Sequence, residues 1–206
     1  GQDITAERKL NAERERRLDL ESEMNSARSI QQRLIPKVPL VTNKYQIDGF
    51  LETFEAAGGD LYYWKKLEND ESIFCLGDVS GHGVGAALVM SQVRTAINLF
   101  SEQGKNPSQI MEHLNEMLCS DLPDDKFVTM VLGKISNCGR FITISFAGHG
   151  PAYHWIDKKN KFEETIIRNL PLGVISNYTG NEEVIEIQKN DFLLIASDGF
   201  YEWPNA

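Results

Sequence analysis

The chain has little cysteine and no long apolar run. It contains 3 cysteines among 206 residues, and none of them belongs to the close CxxC pair that zinc and redox sites use. No stretch approaches the roughly eighteen apolar residues of a membrane-spanning helix, and the first residues are charged, unlike a signal peptide. We expect a soluble segment in the reducing cytoplasm, without membrane contact of its own.

Basic residues are also in deficit. The chain has 21 Lys and Arg against 30 Asp and Glu, which gives a formal net charge of -9. The resulting field repels nucleic-acid phosphates, so nucleic acid is not an expected partner. The length suits one domain with a sizeable core plus an appendage.

Glycine and proline are absent from residues 3–34, which predicts one long helix that Pro36 ends. A heptad register places eight residues on one seam: Leu10, Glu13, Arg17, Leu20, Met24, Ala27, Gln31 and Leu34. Apolar residues are frequent only in the second half of this seam. Residues 1–36 are therefore interpreted as a helical linker. It is either a solvated helix packed on the domain or a parallel coiled-coil dimer that continues to an upstream sensor domain.

The pattern changes after Pro39, where a globular domain over residues 40–206 is predicted. Short alternating segments predict strands at 45–54, 61–67, 72–76, 127–135, 141–146, 152–156, 184–187 and 192–196. Apolar stripes predict helices at 84–100 and 107–119. Strands, then paired helices, then strands indicate an α+β sandwich rather than a doubly wound parallel sheet.

Three aspartates beside glycines carry the sharpest chemical signal. Asp78 lies in Gly77–Gly83 (GDVSGHG), between a predicted strand and a predicted helix. Asp60 follows Gly58-Gly59 ahead of a strand, and Asp198 follows the last apolar run. Carboxylates at strand ends can present oxygen ligands to a hard cation, so convergence on one divalent metal cluster is the economical explanation.

Each of these features also has a plainer interpretation. An Asp-Gly pair taken alone is typical of a tight turn, most of all at Asp198. His82 is a candidate general acid or substrate-side donor, but a hydrogen bond that stabilises its loop explains it equally well. His149 is interpreted as part of a tight connection between strands. No function is assigned to His113 or His154.

Several motifs in order resemble the metal-dependent PPM (type 2C-like) serine/threonine protein phosphatases, in their bacterial SpoIIE/RsbU-like branch. The motifs are Gly58-Gly59-Asp60, Asp78-Val79-Ser80-Gly81-His82-Gly83 with Ala86-Ala87-Leu88, Ala147-Gly148-His149, Pro171-Leu172-Gly173 and Ser197-Asp198-Gly199. The linker that precedes such domains is similar at Ala27, Ile30, Gln31, Leu34 and Pro36.

The resemblance implies a sandwich of two antiparallel sheets flanked by helices, with two manganese or magnesium ions at one end. It assigns the metal-bridging, catalytic carboxylate to Asp78, a ligand carbonyl to Val79, and further ligands to Asp60 and Asp198. A metal-bridging water would attack phosphoserine or phosphothreonine on a signalling protein, usually an anti-sigma-factor antagonist.

The sequence departs from this family in one respect that bears on activity. It stops soon after Asp198, whereas the family continues to another metal-binding aspartate. We therefore expect a truncated or weakly active domain. The rival hypothesis is a non-catalytic scaffold or dimerisation module in signal transduction. A dinucleotide-binding loop at Gly81-His82-Gly83 is rejected, because a second helix follows where a parallel strand is needed.

Overall fold

The computed structural model describes residues 3–51, 59–123 and 125–197. Three helices, α1 to α3, are Asp3–Leu34, Val84–Glu102 and Pro107–Asp121. Ten strands, β1 to β10, are Leu40–Val41, Gln46–Ile47, Leu61–Lys66, Ser72–Val79, Val128–Ile135, Phe141–Ala147, Ala152–Ile156, Lys161–Thr165, Glu182–Glu186 and Phe192–Ile195.

All of the described strand pairs are antiparallel, and they form two main sheets. The five-stranded sheet has the order β3-β4-β5-β6-β9, and the three-stranded sheet has the order β10-β7-β8. The short strands β1 and β2 pair with each other in a separate two-stranded sheet. This arrangement confirms the predicted α+β sandwich.

The five-stranded sheet separates two apolar cores because successive side chains on a strand point to opposite faces. On one face, α2 and α3 bury Ile97 and Leu114 against Ile73 and Met130. On the other face, residues such as Ile144 and Phe146 pack toward Ala152 of the three-stranded sheet. The sheet thus lies between a helical layer and a second sheet.

Helix α3 begins where its local sequence dictates. The Asn106 side chain accepts a hydrogen bond from the Gln109 N–H at 3.0 Å, and Gln109 Oε1 accepts one from the Asn106 N–H at 3.1 Å. This reciprocal capping box, with Pro107 in the first turn, satisfies two N–H groups that the helix leaves without partners.

Helix α1 is confirmed over its predicted length, and most of its described side chains are exposed. Leu10, Leu18 and Leu20 are 67%, 55% and 53% exposed. After the end of the helix, Ile35 packs against the helix-side core, and the Pro36 carbonyl accepts a hydrogen bond from Tyr62 at 3.2 Å. None of the described helices combines the length and apolarity that crossing a bilayer requires.

Two of the strand predictions need correction. The sequence predicts a strand at 45–54. In the described part of that range, which ends at Leu51, the strand covers only Gln46–Ile47. Asp48 Oδ1 accepts a hydrogen bond from the Gly49 N–H at 2.9 Å, and this local turn ends the strand. Strand β4 continues to Val79 rather than ending at residue 76, because β3 and β5 flank it on both sides. Asp78 therefore lies inside the strand.

Candidate metal site

Two of the three predicted aspartates meet at one end of the five-stranded sheet. Strands β3 and β4 pair with Leu61 opposite Gly77. The pairing continues past β3, since the Val79 N–H donates to the Gly59 carbonyl at 3.2 Å. Asp60 is consequently opposite Asp78, and facing residues in such a pair have Cβ atoms about 5 Å apart.

Gly59 allows this approach because it has no side chain. A Cβ at residue 59 would lie 2.5 Å from Asp78 Oδ1 and closer still to the Val79 carbonyl oxygen. Real Cβ atoms essentially never come so near to other heavy atoms. The residue before Asp60 is therefore packed directly on Asp78 and Val79, the other two predicted ligands in this part of the chain.

Both carboxylates lie on the face of the sheet opposite the helices. Leu61 and Val79, their immediate neighbours, point into the helix-side core. Alternation along each strand therefore directs Asp60 and Asp78 toward the three-stranded sheet, and both are half-buried. Sequence reasoning expected them to converge, and the sheet register brings them to one place.

Two further polar residues, one on β5 and one in the connection after β6, join this end of the sheet. Thr129 of β5 is the partner of Asp78, and its Oγ1 lies 3.3 Å from His149 Nδ1. His149 was interpreted only as part of a connection, and no signal singled out Thr129. Thr129 lies opposite Asp78 because of the β4-β5 register, which the sequence alone does not predict.

The loop from Ser80 to Gly83 joins β4 to α2 and carries the candidate His82. Gly81 and Gly83 have φ angles of 88° and 87°, a backbone conformation that favours glycine. The His82 side chain is exposed on this loop. The structure therefore places it beside the aspartate end of the sheet, on the solvent side.

The donor set fits a hard divalent cation. Asp60, Asp78 and the Val79 carbonyl offer oxygen atoms only, which magnesium and manganese prefer, and water can complete their coordination. The third predicted carboxylate, Asp198, lies outside the described residues. Within residues 3–51, 59–123 and 125–197, no group of three His, Cys, Asp or Glu side chains is placed to hold a metal ion.

The other two histidines have structural surroundings. His113 stacks on Phe100 with ring centroids 4.8 Å apart. His154 is 7% exposed and lies 3.3 Å from Asp191 Oδ2 between the sheets. These contacts agree with assigning neither residue a role in the site.

Comparison with known proteins gives consistent matches. Phosphoserine phosphatase RsbU of Bacillus subtilis is 30% identical over 185 residues, which cover 89% of this chain and 55% of that protein. Phosphoserine phosphatase RsbP of the same organism is 25% identical over 194 residues, covering 92% and 47%. The chain thus spans about half the length of these curated relatives.

Solved structures agree on the fold. The SiaA-PP2C domain of Pseudomonas aeruginosa superposes with a TM-score of 0.70 at 17% identity, covering 89% of this chain and 74% of that one. The RsbU and RsbW domains of a Mycobacterium tuberculosis protein match with a TM-score of 0.62 at 30% identity, covering 74% and 42%. The family model described as Stage II sporulation protein E (SpoIIE) matches residues 68–206. The chain therefore belongs to the SpoIIE family.

Proposed function

We propose that this chain is the catalytic region of a metal-dependent protein phosphatase that hydrolyses phosphoserine or phosphothreonine on a signalling protein. The observation that carries the proposal is the packing of Gly59 on Asp78 and Val79, which sets two carboxylates and a carbonyl at one sheet end. Membership of the SpoIIE family and the similarity to two phosphoserine phosphatases support it.

The proposed roles follow from the positions of the residues. Asp60, Asp78 and the Val79 carbonyl hold manganese or magnesium, and Asp198 supplies a further ligand for a two-ion site. When bound, the ions offset the charge of the phosphoryl oxygens and activate water for attack on phosphorus. His82, exposed on the adjoining loop, donates a proton to the departing serine or threonine oxygen.

The partners follow from the same proposal. The substrate is a phosphorylated protein, and an anti-sigma-factor antagonist is the expected type. The exposed seam residues Leu10 and Leu20 support a homodimer through α1, which would continue to an upstream sensor domain. We infer a cytoplasmic location from the low cysteine content.

A second candidate function is a phosphatase-like scaffold that binds a partner protein without hydrolysis. Helix α1 exposes Leu10, Leu18 and Leu20, which could contact such a partner. The two functions differ in whether manganese binds and whether phosphate is released.

The deciding experiment is manganese-dependent release of phosphate from a phosphoserine peptide, in this chain and in a C-terminally extended version. Asp78→Asn and Asp60→Asn should each reduce turnover at least about a hundredfold, because each removes a charged metal ligand. Asp70→Asn is the matched control. It changes an exposed carboxylate at the far turn of the same hairpin, where asparagine tolerates the φ of 63°.

If the extended wild type binds manganese and releases phosphate while its Asp78→Asn variant does not, the phosphatase proposal stands, whether or not the shorter chain is active. If neither version binds manganese, the scaffold replaces it.

A further inference from the structure

A lysine that the resemblance did not assign lies against the loop beside the two aspartates. Lys126 Nζ donates a hydrogen bond to the Ser80 carbonyl at 3.1 Å. A Cβ at residue 81 would lie 2.5 Å from the same Nζ and 3.9 Å from Cε. The end of the lysine side chain thus covers Gly81, three residues after Asp78 in the chain.

Hydrogen bonds on both sides fix the backbone of this lysine. The Ser80 N–H donates to the Phe127 carbonyl at 2.9 Å, and Ser80 Oγ accepts from the Phe127 N–H at 3.0 Å. The Lys126 N–H donates to the Pro123 carbonyl at 2.9 Å. The ammonium is therefore held near the loop by its anchored backbone as well as by its own hydrogen bond.

The charge of Lys126 is not explained by its contact with Ser80. An uncharged donor would satisfy a backbone carbonyl, and an ammonium has three N–H groups, of which that contact uses one. Among the residues that the structure describes, no carboxylate forms an ion pair with Lys126. The neighbouring Asp125 is exposed. In a chain of net charge -9, this half-buried cation at the aspartate end is suited to an anion.

We propose that Lys126 is a substrate-binding residue of this site, whose ammonium receives the phosphoryl group of the phosphoprotein. The inference rests on the proposed phosphatase function. A phosphoryl group carries oxygen acceptors and a charge that an ammonium complements, and lysine binds phosphate as a point charge. If the ammonium binds the phosphoryl group equally well in the bound substrate and in the transition state, it lowers KM and leaves kcat unaffected.

The test compares Lys126→Met and Lys126→Arg with the control Lys158→Met. Lys158 is an exposed lysine two residues after the end of β7, whereas His149 lies before the start of that strand. Lys126→Met should raise KM for a phosphoserine peptide about tenfold to a hundredfold, the range expected for a charge-assisted hydrogen bond, with kcat unchanged. Lys126→Arg should recover most of this loss. Manganese affinity, measured by calorimetry, should stay the same in every variant.

A second measurement keeps the two proposals distinguishable. Calorimetric binding of the phosphoserine peptide and of its unphosphorylated form requires no turnover. Weaker binding of the phosphorylated peptide alone in Lys126→Met supports the proposal, even if the wild type hydrolyses nothing and the phosphatase function fails. Unchanged KM and peptide affinity would overturn it. Weakened manganese binding would also overturn it, since Lys126 would then act by holding the loop.

Discussion

Replacing Gly59 with alanine tests whether the aspartate pair depends on close backbone approach. The new Cβ would lie 2.5 Å from Asp78 Oδ1 and 3.0 Å from the Val79 nitrogen, and nearer still to the Val79 carbonyl oxygen. Backbone atoms of a central strand, paired on both sides, cannot move aside cheaply. Relief must come either from displacing residues 59 and 60 or from straining β4.

The cost follows from this geometry. Overpacking a well-packed position typically costs about 1–3 kcal/mol. If the strain stays in the sheet, the free energy of unfolding falls by that amount. If residues 59 and 60 move instead, Asp60 leaves its place opposite Asp78 and manganese binds about tenfold to a hundredfold more weakly, at about 1.4 kcal/mol per factor of ten.

The assay is calorimetric manganese titration together with urea unfolding, with Gly85→Ala as the control. A Cβ at residue 85 meets no atom within 4 Å, and alanine is the better helix former, so this variant should be as stable as the wild type or slightly more so. Unchanged manganese affinity and unchanged unfolding free energy in Gly59→Ala would refute the packing argument.

Two further predictions concern the stability of the fold. Burial tends to raise the pKa of Asp191, but hydrogen bonds from two backbone N–H groups and from His154 outweigh it, and the pKa is lowered. The carboxylate therefore stabilises the fold above its unfolded pKa of about 3.9, and this contribution is lost as the pH falls through the folded-state value. Asp191→Asn should lower the free energy of unfolding by about 1–3 kcal/mol at pH 7 and by less at pH 3 in urea titrations, and equal losses at both would contradict this assignment. Asn106→Ala should lower the free energy of unfolding by about 1 kcal/mol because it removes the cap of α3, whereas Asn106→Ser should keep most of the capping energy. Identical urea unfolding curves for the alanine variant and the wild type would show that the cap contributes nothing.

Elements with strong local signals were predictable. Helix α1 follows from its lack of glycine and proline, and α3 begins at its Asn-Pro pair. Strand β8 (Lys161–Thr165) was missed, because its sequence KFEET shows little apolar alternation. Its pairing with β7 depends on the short turn between them, in which Asn160 adopts a φ of 48°.

The sequence by itself supplied the candidate donors of the site. It showed carboxylates beside glycines in an order that matches the SpoIIE family, and carboxylate oxygens are ligands that hard cations prefer. It also determined where α1 ends and that the domain is a mixed sandwich, because periodicity and breakers are local properties.

Only the tertiary structure decided that Asp60 and Asp78 share one place. The Leu61–Gly77 register sets them opposite each other, and a slip of one residue would turn one carboxylate into the helix-side core. The positions of Thr129 and Lys126 were decided in the same way, by pairing between β4 and β5 and by the Ser80–Phe127 hydrogen bonds. Register depends on the packing of both faces of the sheet at once, and no single segment of the sequence contains that information.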